Sequence, residues 1–270
     1  MSIRGADSMD GGAARGDQYD DESEDYVGYW EGRDYEHAAE IAAVKRLIGR
    51  DGARYGLVCE VGGGFGRLSP VLKEYADRVM MFDPSSKHVG IAHRLLAGHA
   101  GVTAHHMHPG TIPLDDGTVD LVSMIRVMHH LPDPGPTLRE TARVMKPGGR
   151  ALIEVANSAH MLNKLRYAKR LRGIPRRPVD IRSAAKAAEG GIPFVNHHPD
   201  TVVRQFAEAG LRVEEKLSVS NLRSGTLKQR LGEDRLLAVE QRIQSPLAAI
   251  NFGPSLFFLL RGDGAAPGAA

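Results

Sequence analysis

Apolar residues along this chain fall into short runs separated by amphipathic stretches, and the alternation is regular from residue 33 to residue 156. The stretch 33–48 carries apolar side chains at Ala38, Ile41, Ala42, Leu47 and Ile48, a spacing that predicts an amphipathic helix ending at Gly49. Apolar runs at 57–61, 79–82, 102–107, 119–125 and 151–156 read as strands. Helices are predicted between them over about 67–76, 85–97 and 136–145, and Lys146-Pro147-Gly148-Gly149 reads as a turn leading into the last of these strands. Continuous apolar strands spaced by helices of this length argue for βαβ units and a parallel sheet covered on both faces.

After residue 156 the rhythm breaks. Residues 157–195 form a long segment with a basic cluster, expected to lie over one end of the sheet. A helix at 199–209, a strand at 211–219, a helical stretch at about 226–250 and a short apolar strand at 256–260 complete the pattern. Residues 1–25 hold eight acidic residues, two arginines and almost nothing large to bury, so a disordered leader is expected there. A similar tail is expected at 262–270, leaving one domain over 26–261.

Composition changes little in this picture. Hydrophobic content of 42% with 25% charged residues is ordinary for a chain that buries a core. A net charge of +2 provides no strong global attraction to nucleic acid or membrane. The lone cysteine, Cys59, excludes an internal disulfide framework and suits a reducing, cytoplasmic setting. No apolar run approaches the roughly 18 residues that span a bilayer.

The densest chemistry is Cys59-Glu60-Val61-Gly62-Gly63-Gly64-Phe65-Gly66-Arg67, a carboxylate and alternate glycines between a strand and a helix. Glycine permits the sharp turn off the strand and the close approach of a ligand or of the following helix. A dinucleotide fingerprint in this frame needs glycine at 67, where the chain has Arg67. Asp83 ends the next strand 21 residues after Gly62, where a carboxylate can accept both hydroxyls of a ribose.

The run from Glu60 to Gly66 resembles the E/D-x-G-x-G-x-G signature of class I S-adenosylmethionine-dependent methyltransferases. The segment from Val119 to Asp133, containing Val127-Met128-His129-His130-Leu131-Pro132-Asp133, is similar to their F-D-x-V-x-x-x-x-V-L-H-H-L-P-D, a form found in quinone-biosynthesis enzymes. Arg143-Val144-Met145-Lys146-Pro147-Gly148-Gly149 resembles their R-V-L-K-P-G-G, and the likeness covers about residues 57–156. It implies an α/β, Rossmann-like class I methyltransferase fold: a seven-stranded, mostly parallel sheet with an antiparallel last strand. The cofactor-binding core would be 50–156, with insertions at about 157–195 and 221–250 capping the substrate side.

The resemblance implies S-adenosyl-L-methionine as cofactor, bound through Glu60, Gly62, Gly64, Asp83 and Pro84, through His108 and Pro109 after the third strand, and through Ile125 and Arg126 after the fourth. Many relatives have an acidic residue for the adenine amino group where this chain has His108. Tyr29-Trp30-Glu31-Gly32-Arg33-Asp34-Tyr35-Glu36 looks like a lead-in that closes over the cofactor in some bacterial relatives. Arg33 would pair with the methionine carboxylate and Tyr29 or Trp30 would face the sulfonium.

His130, with His129 beside it, is read either as the general base, since imidazole titrates near neutrality, or as a structural hydrogen-bonder. His105, His106, His108, His197 and His198 lack a cysteine or acidic cluster at ligand spacing, and no metal is expected. Lys164, Arg166, Lys169, Arg170, Arg172, Arg176, Arg177 and Arg182 surround one acid, Asp180. Such a segment can cradle an anion, track an RNA backbone or lie on an anionic membrane, or it can be a solvated lid helix. The expected activity is methylation of a small or mid-sized metabolite, with oxygen preferred as acceptor atom and nucleic acid not expected as a partner. RNA or peptide methylation through 164–182, and a non-catalytic cofactor-binding role, are the alternatives.

Overall fold

The computed structural model describes residues 28–108, 110–188 and 191–263. Its main sheet has seven strands: β1 (Tyr55–Val61), β2 (Ala76–Asp83), β3 (Val102–His106), β4 (Val119–Met124), β5 (Met145–Ala156), β8 (Leu211–Val219) and β9 (Ser255–Gly262). Their spatial order is β3-β2-β1-β4-β5-β9-β8. Neighbours from β3 to β5 pair in parallel, and β9 runs antiparallel to both β5 and β8. This is the expected class I arrangement. The order reverses between β1 and β4, and at such a switch point the carboxyl ends of the strands open a crevice for ligands.

Side chains alternate between two packed faces, which is why the strands read as continuous apolar runs. Leu256, Phe258 and Leu260 of β9 join one cluster with Leu138 of α4 (Gly135–Val144) and Phe206 of α7 (Pro199–Glu208). Phe257 and Leu259 point the other way, into a cluster with Ala39, Ala43 and Leu47 of α1 (Asp34–Ile48) and Leu72 of α2 (Ser69–Lys73). A third, small cluster seats Val89 and Leu96 of α3 (Ser86–Leu96) on Met81 and Ala104.

Three expectations change. The helix foreseen over 67–76 is the short α2, because Ala76 already pairs with Tyr55 in the sheet and the chain straightens into β2 there. Residues 146–149 do turn, with Gly148 at φ +71°, but inside β5: the ladder passes from Val119↔Met145 to Leu121↔Arg150, so they bulge opposite Asp120. The stretch 221–250 is not simply a cap. Its longer helix, α9 (Glu233–Ala249), packs on α1 and β8 as part of a face layer, with Tyr35 donating to Glu240 at 2.8 Å. The shorter α8 (Gly225–Leu231) meets the start of α1 through Lys228 and Glu36 at 2.8 Å.

Residues 157–195 hold α5 (Met161–Lys169), the two-residue strands β6 (Val179–Asp180) and β7 (Val195–Asn196), and between them the short helix α6 (Ala184–Ala188). Strand β7 packs on β5 and on the 3-10 turn Met128–His130, which places this segment at the carboxyl edge of the sheet.

Candidate functional site

The glycine loop leaves β1 with Gly62, Gly64 and Gly66 all at positive φ, 67°, 58° and 83°. These are left-handed values that side chains disfavour. A Cβ on Gly62 would stand 2.3 Å from Cγ2 of Val127, and one on Gly66 would stand 2.6 Å from Cδ1 of Leu96. The glycines at 62 and 66 are thus demanded by the protein's own packing. The Gly62 and Gly63 amides donate to the Phe82 carbonyl, stitching the loop to the end of β2.

There Asp83, buried, accepts from the Gly64 amide at 2.7 Å on one oxygen and from the Ser85 amide at 2.9 Å on the other. Each oxygen keeps a second lone pair. A carboxylate braced in this way beside a bare-backbone loop fits the ribose diol of a nucleoside.

Behind the loop lies a layer of charge on the α1 side of the sheet. Glu60 is buried and accepts from the Ser69 hydroxyl, and burial pushes its carboxyl up to about 7 against the pull of Ser69 and Arg67. Arg67 donates to Glu40 at 2.6 Å, and the other Glu40 oxygen stands 3.8 Å from Arg126, so one carboxylate is shared by two guanidiniums. Arg126 leaves β4 at φ +65°, unusual for a non-glycine residue, and its amide donates to buried Glu154 at 3.2 Å. Burial also raises the Glu154 carboxyl, which accepts from Ser255.

The aromatic lead-in closes on this layer. Tyr29 accepts at its hydroxyl from Arg33 at 2.9 Å and from Arg126 at 2.5 Å, and the Arg33 guanidinium lies 3.9 Å from the Tyr29 ring centroid. Arg67 covers the Trp30 ring at 3.7 Å. The structure therefore brings Tyr29, Trp30, Arg33 and Arg126 into one cluster with Arg67 and Glu40. Ile125, next to them, is buried among the apolar residues beneath.

The paired histidines part company. His129 is buried against the rings of His130 and Phe194, with centroids at 4.0 and 4.3 Å, in a three-ring cluster. Burial, then His130, Arg126 and His197, hold it well below the usual imidazole range, so it stays neutral. His130 is half-buried, and its Nδ1 lies 3.0 Å from the Pro193 carbonyl. A carbonyl only accepts, so Nδ1 carries the proton and the basic lone pair is on Nε2. His197 is anchored in the same way by Nε2 on the Met128 carbonyl at 2.9 Å.

The remaining candidates sit farther out. Pro84 offers its carbonyl to His106 at 2.9 Å, and exposed His108 meets His106 edge-on at 5.7 Å. Pro109 lies outside the described residues. No group of three or more metal-ligating side chains occurs among the described residues. Sequence reading passed over Glu40, Glu154 and Phe194. Glu40 had a usable signal, since it shares the inward stripe of α1 with Val44 and Leu47.

Comparison with known proteins agrees with this geometry. A family profile described as a methyltransferase domain matches residues 29–216. The ubiquinone biosynthesis O-methyltransferase of Sodalis glossinidius is 30% identical over 153 residues, 53% of this chain and 60% of that protein. A 37.1 kDa protein of a Streptomyces fradiae transposon is 33% identical over 97 residues, 36% of this chain. The chain thus spans less than two thirds of either relative, 60% and 28% of their lengths. Among solved structures, a methyltransferase bound to its activator from Haloferax volcanii superposes with TM-score 0.61 at 20% identity, covering 90% of this chain and 97% of that one.

Proposed function

The chain belongs to the methyltransferase-domain family, and from that premise we propose that it methylates an oxygen of a small or mid-sized metabolite, with His130 Nε2 taking the acceptor's proton. S-adenosylmethionine, the cofactor of this family, supplies a methyl group already activated on a sulfonium. The protein's task is then to bind, align and exclude water. Asp83 and the loop from Gly62 to Gly64 would hold the nucleoside end, with Pro84 and His108 at its rim. Arg33, Arg126, Tyr29 and Trp30 would hold the methionine end over Glu60.

One observation carries the choice of oxygen: the Nδ1–H of His130 on the Pro193 carbonyl, which keeps the basic lone pair on Nε2 at the carboxyl edge of the sheet. A hydroxyl must lose its proton as it is alkylated, whereas a neutral amine attacks with its own lone pair. Buried, neutral His129 backs the ring of His130 and adds no charge. The O-methyltransferase named among the relatives supports the same acceptor atom.

The test is formation of S-adenosylhomocysteine with a panel of phenols, hydroxy acids and amines, repeated with His130→Ala. Turnover of hydroxyl acceptors should fall about a hundredfold in the variant with cofactor affinity unchanged. Undiminished turnover by His130→Ala, or methylation of amines alone, would remove the assignment.

A further inference from the structure

In the segment that follows β5, helix α5 and the turn after it present their leucines outward. Along α5 the half-buried positions are Met161, Asn163, Lys164 and Tyr167, while Leu162, Leu165, Arg166, Ala168 and Lys169 are exposed. Asn163 and Lys164 tie the inner side down through the carbonyls of Ser158 and Ile250. Leu162 and Leu165 are 70% and 53% exposed, three residues apart on one helix face. The helix ends with the Leu171 amide on the Ala168 carbonyl and the Arg172 amide on the Tyr167 carbonyl. That pattern puts Leu171 at the left-handed position after the cap, where glycine is the usual residue. Leu171 sits there at φ +51° and is 97% exposed. Among the described residues nothing covers this leucine, held in that conformation and left in water.

Charge surrounds these leucines. The stretch 161–182 contains eight lysines and arginines and one acid, Asp180, whose carboxylate is taken by Arg182 at 2.7 Å. Lys169, Arg170, Arg172 and Arg177 form no ion pair among the described residues. We propose that the outer face of α5 with the loop through Arg177 is a docking surface for an anionic lipid bilayer. Leucines at the level of the acyl boundary and cations at the level of the headgroups are what such a surface requires. An RNA strand would need exposed rings for stacking, and the one aromatic residue of the stretch, Tyr167, lies on the inner side of α5. Docking in this orientation sets the carboxyl edge of the sheet, with His130 and Phe194, close to the lipid surface. The surface itself makes no demand on the identity of the acceptor.

The experiment is flotation of the full chain with phosphatidylcholine vesicles and with vesicles containing phosphatidylglycerol, at low and high salt. Binding is expected only to the anionic vesicles and should weaken as salt rises. Replacing Leu162, Leu165 and Leu171 together by Ser should weaken it about tenfold or more. Replacing Arg170, Arg172 and Arg177 together by Gln should weaken it about a hundredfold. Thermal melting and S-adenosylmethionine binding of both variants should match the parent, since all six side chains are exposed. Equal binding to the two vesicle types, unchanged binding by both variants, or release of the protein from vesicles by stoichiometric RNA would overturn the proposal.

Discussion

The glycine loop and the segment 157–195 stand at the same edge of the sheet and are built by opposite rules. In the loop the polar atoms are answered from within: Gly62 and Gly63 by the Phe82 carbonyl, Gly64 by Asp83, Glu60 by Ser69. Residue types there follow from backbone geometry, since a side chain at Gly62 would collide with Val127. In the segment α5 buries no residue, its leucines face water, and it is tied down by the Met161 amide on the Phe252 carbonyl and by Asn163 and Lys164 on the carbonyls of Ser158 and Ile250. Packing within the fold imposes those backbone constraints on the loop. An acceptor or a surface is met by side chains, which the backbone does not dictate. The contrast teaches where in this fold identity is written and where it varies.

That contrast can be broken in order of expected effect. Gly62→Ala should be the most damaging change, because it adds both a left-handed Ala and a 2.3 Å contact with Val127. A loss of about 2–4 kcal/mol is expected in chemical denaturation, together with loss of cofactor binding. A variant of unchanged midpoint would mean that the loop is not confined as described.

Glu60→Gln tests the buried charge next. The Glu60 carboxyl lies near 7 in the fold against an ordinary 4.5, so the folded state favours its protonated form. Its stabilising contribution is complete below about pH 4.5 and lost as pH rises through about 7. Gln cannot ionise. The wild type should therefore lose stability relative to Glu60→Gln between about pH 5 and pH 8, by about 2 kcal/mol. Melting curves of both proteins across that range decide it, and parallel pH dependence would contradict the burial argument.

Arg33→Ala is expected to have a smaller effect, about a tenfold loss of S-adenosylmethionine affinity by titration calorimetry. Unchanged affinity would leave Arg33 as a brace for Tyr29 alone. The smallest effect belongs to the other region: Leu171→Gly should raise stability by about 1 kcal/mol, because glycine suits φ +51°. A drop in melting temperature would show that Leu171 packs more than its exposure suggests.

Much of the cofactor half was legible because strands buried on both faces read as apolar runs, and because the glycines at 62, 64 and 66 answer to backbone angles. The turn at 146–149 was seen, but not that β5 carries it as a bulge, since a bulge depends on the partner strand. The helix foreseen to residue 76 stops at Lys73 because Ala76 pairs with Tyr55 in the sheet, a long-range contact that no local pattern reveals. The shared Glu40 carboxylate, the clustering of His129 with His130 and Phe194, and the tautomer of His130 likewise arise only on folding. Exposed Leu171 was invisible to pattern reading, which treats a leucine as a candidate for burial.

The central claim is that the loop and Asp83 form the nucleoside site of a methyltransferase. It is tested most directly by calorimetric titration of S-adenosylmethionine into the wild type and into Asp83→Ala, with melting of each unliganded protein as a control. The account predicts saturable one-site binding to the wild type and a loss of tenfold to about a hundredfold in a folded Asp83→Ala, the cost of hydrogen bonds to a charged acceptor. Equal affinity in the two proteins, or no binding to a folded wild type, would contradict it.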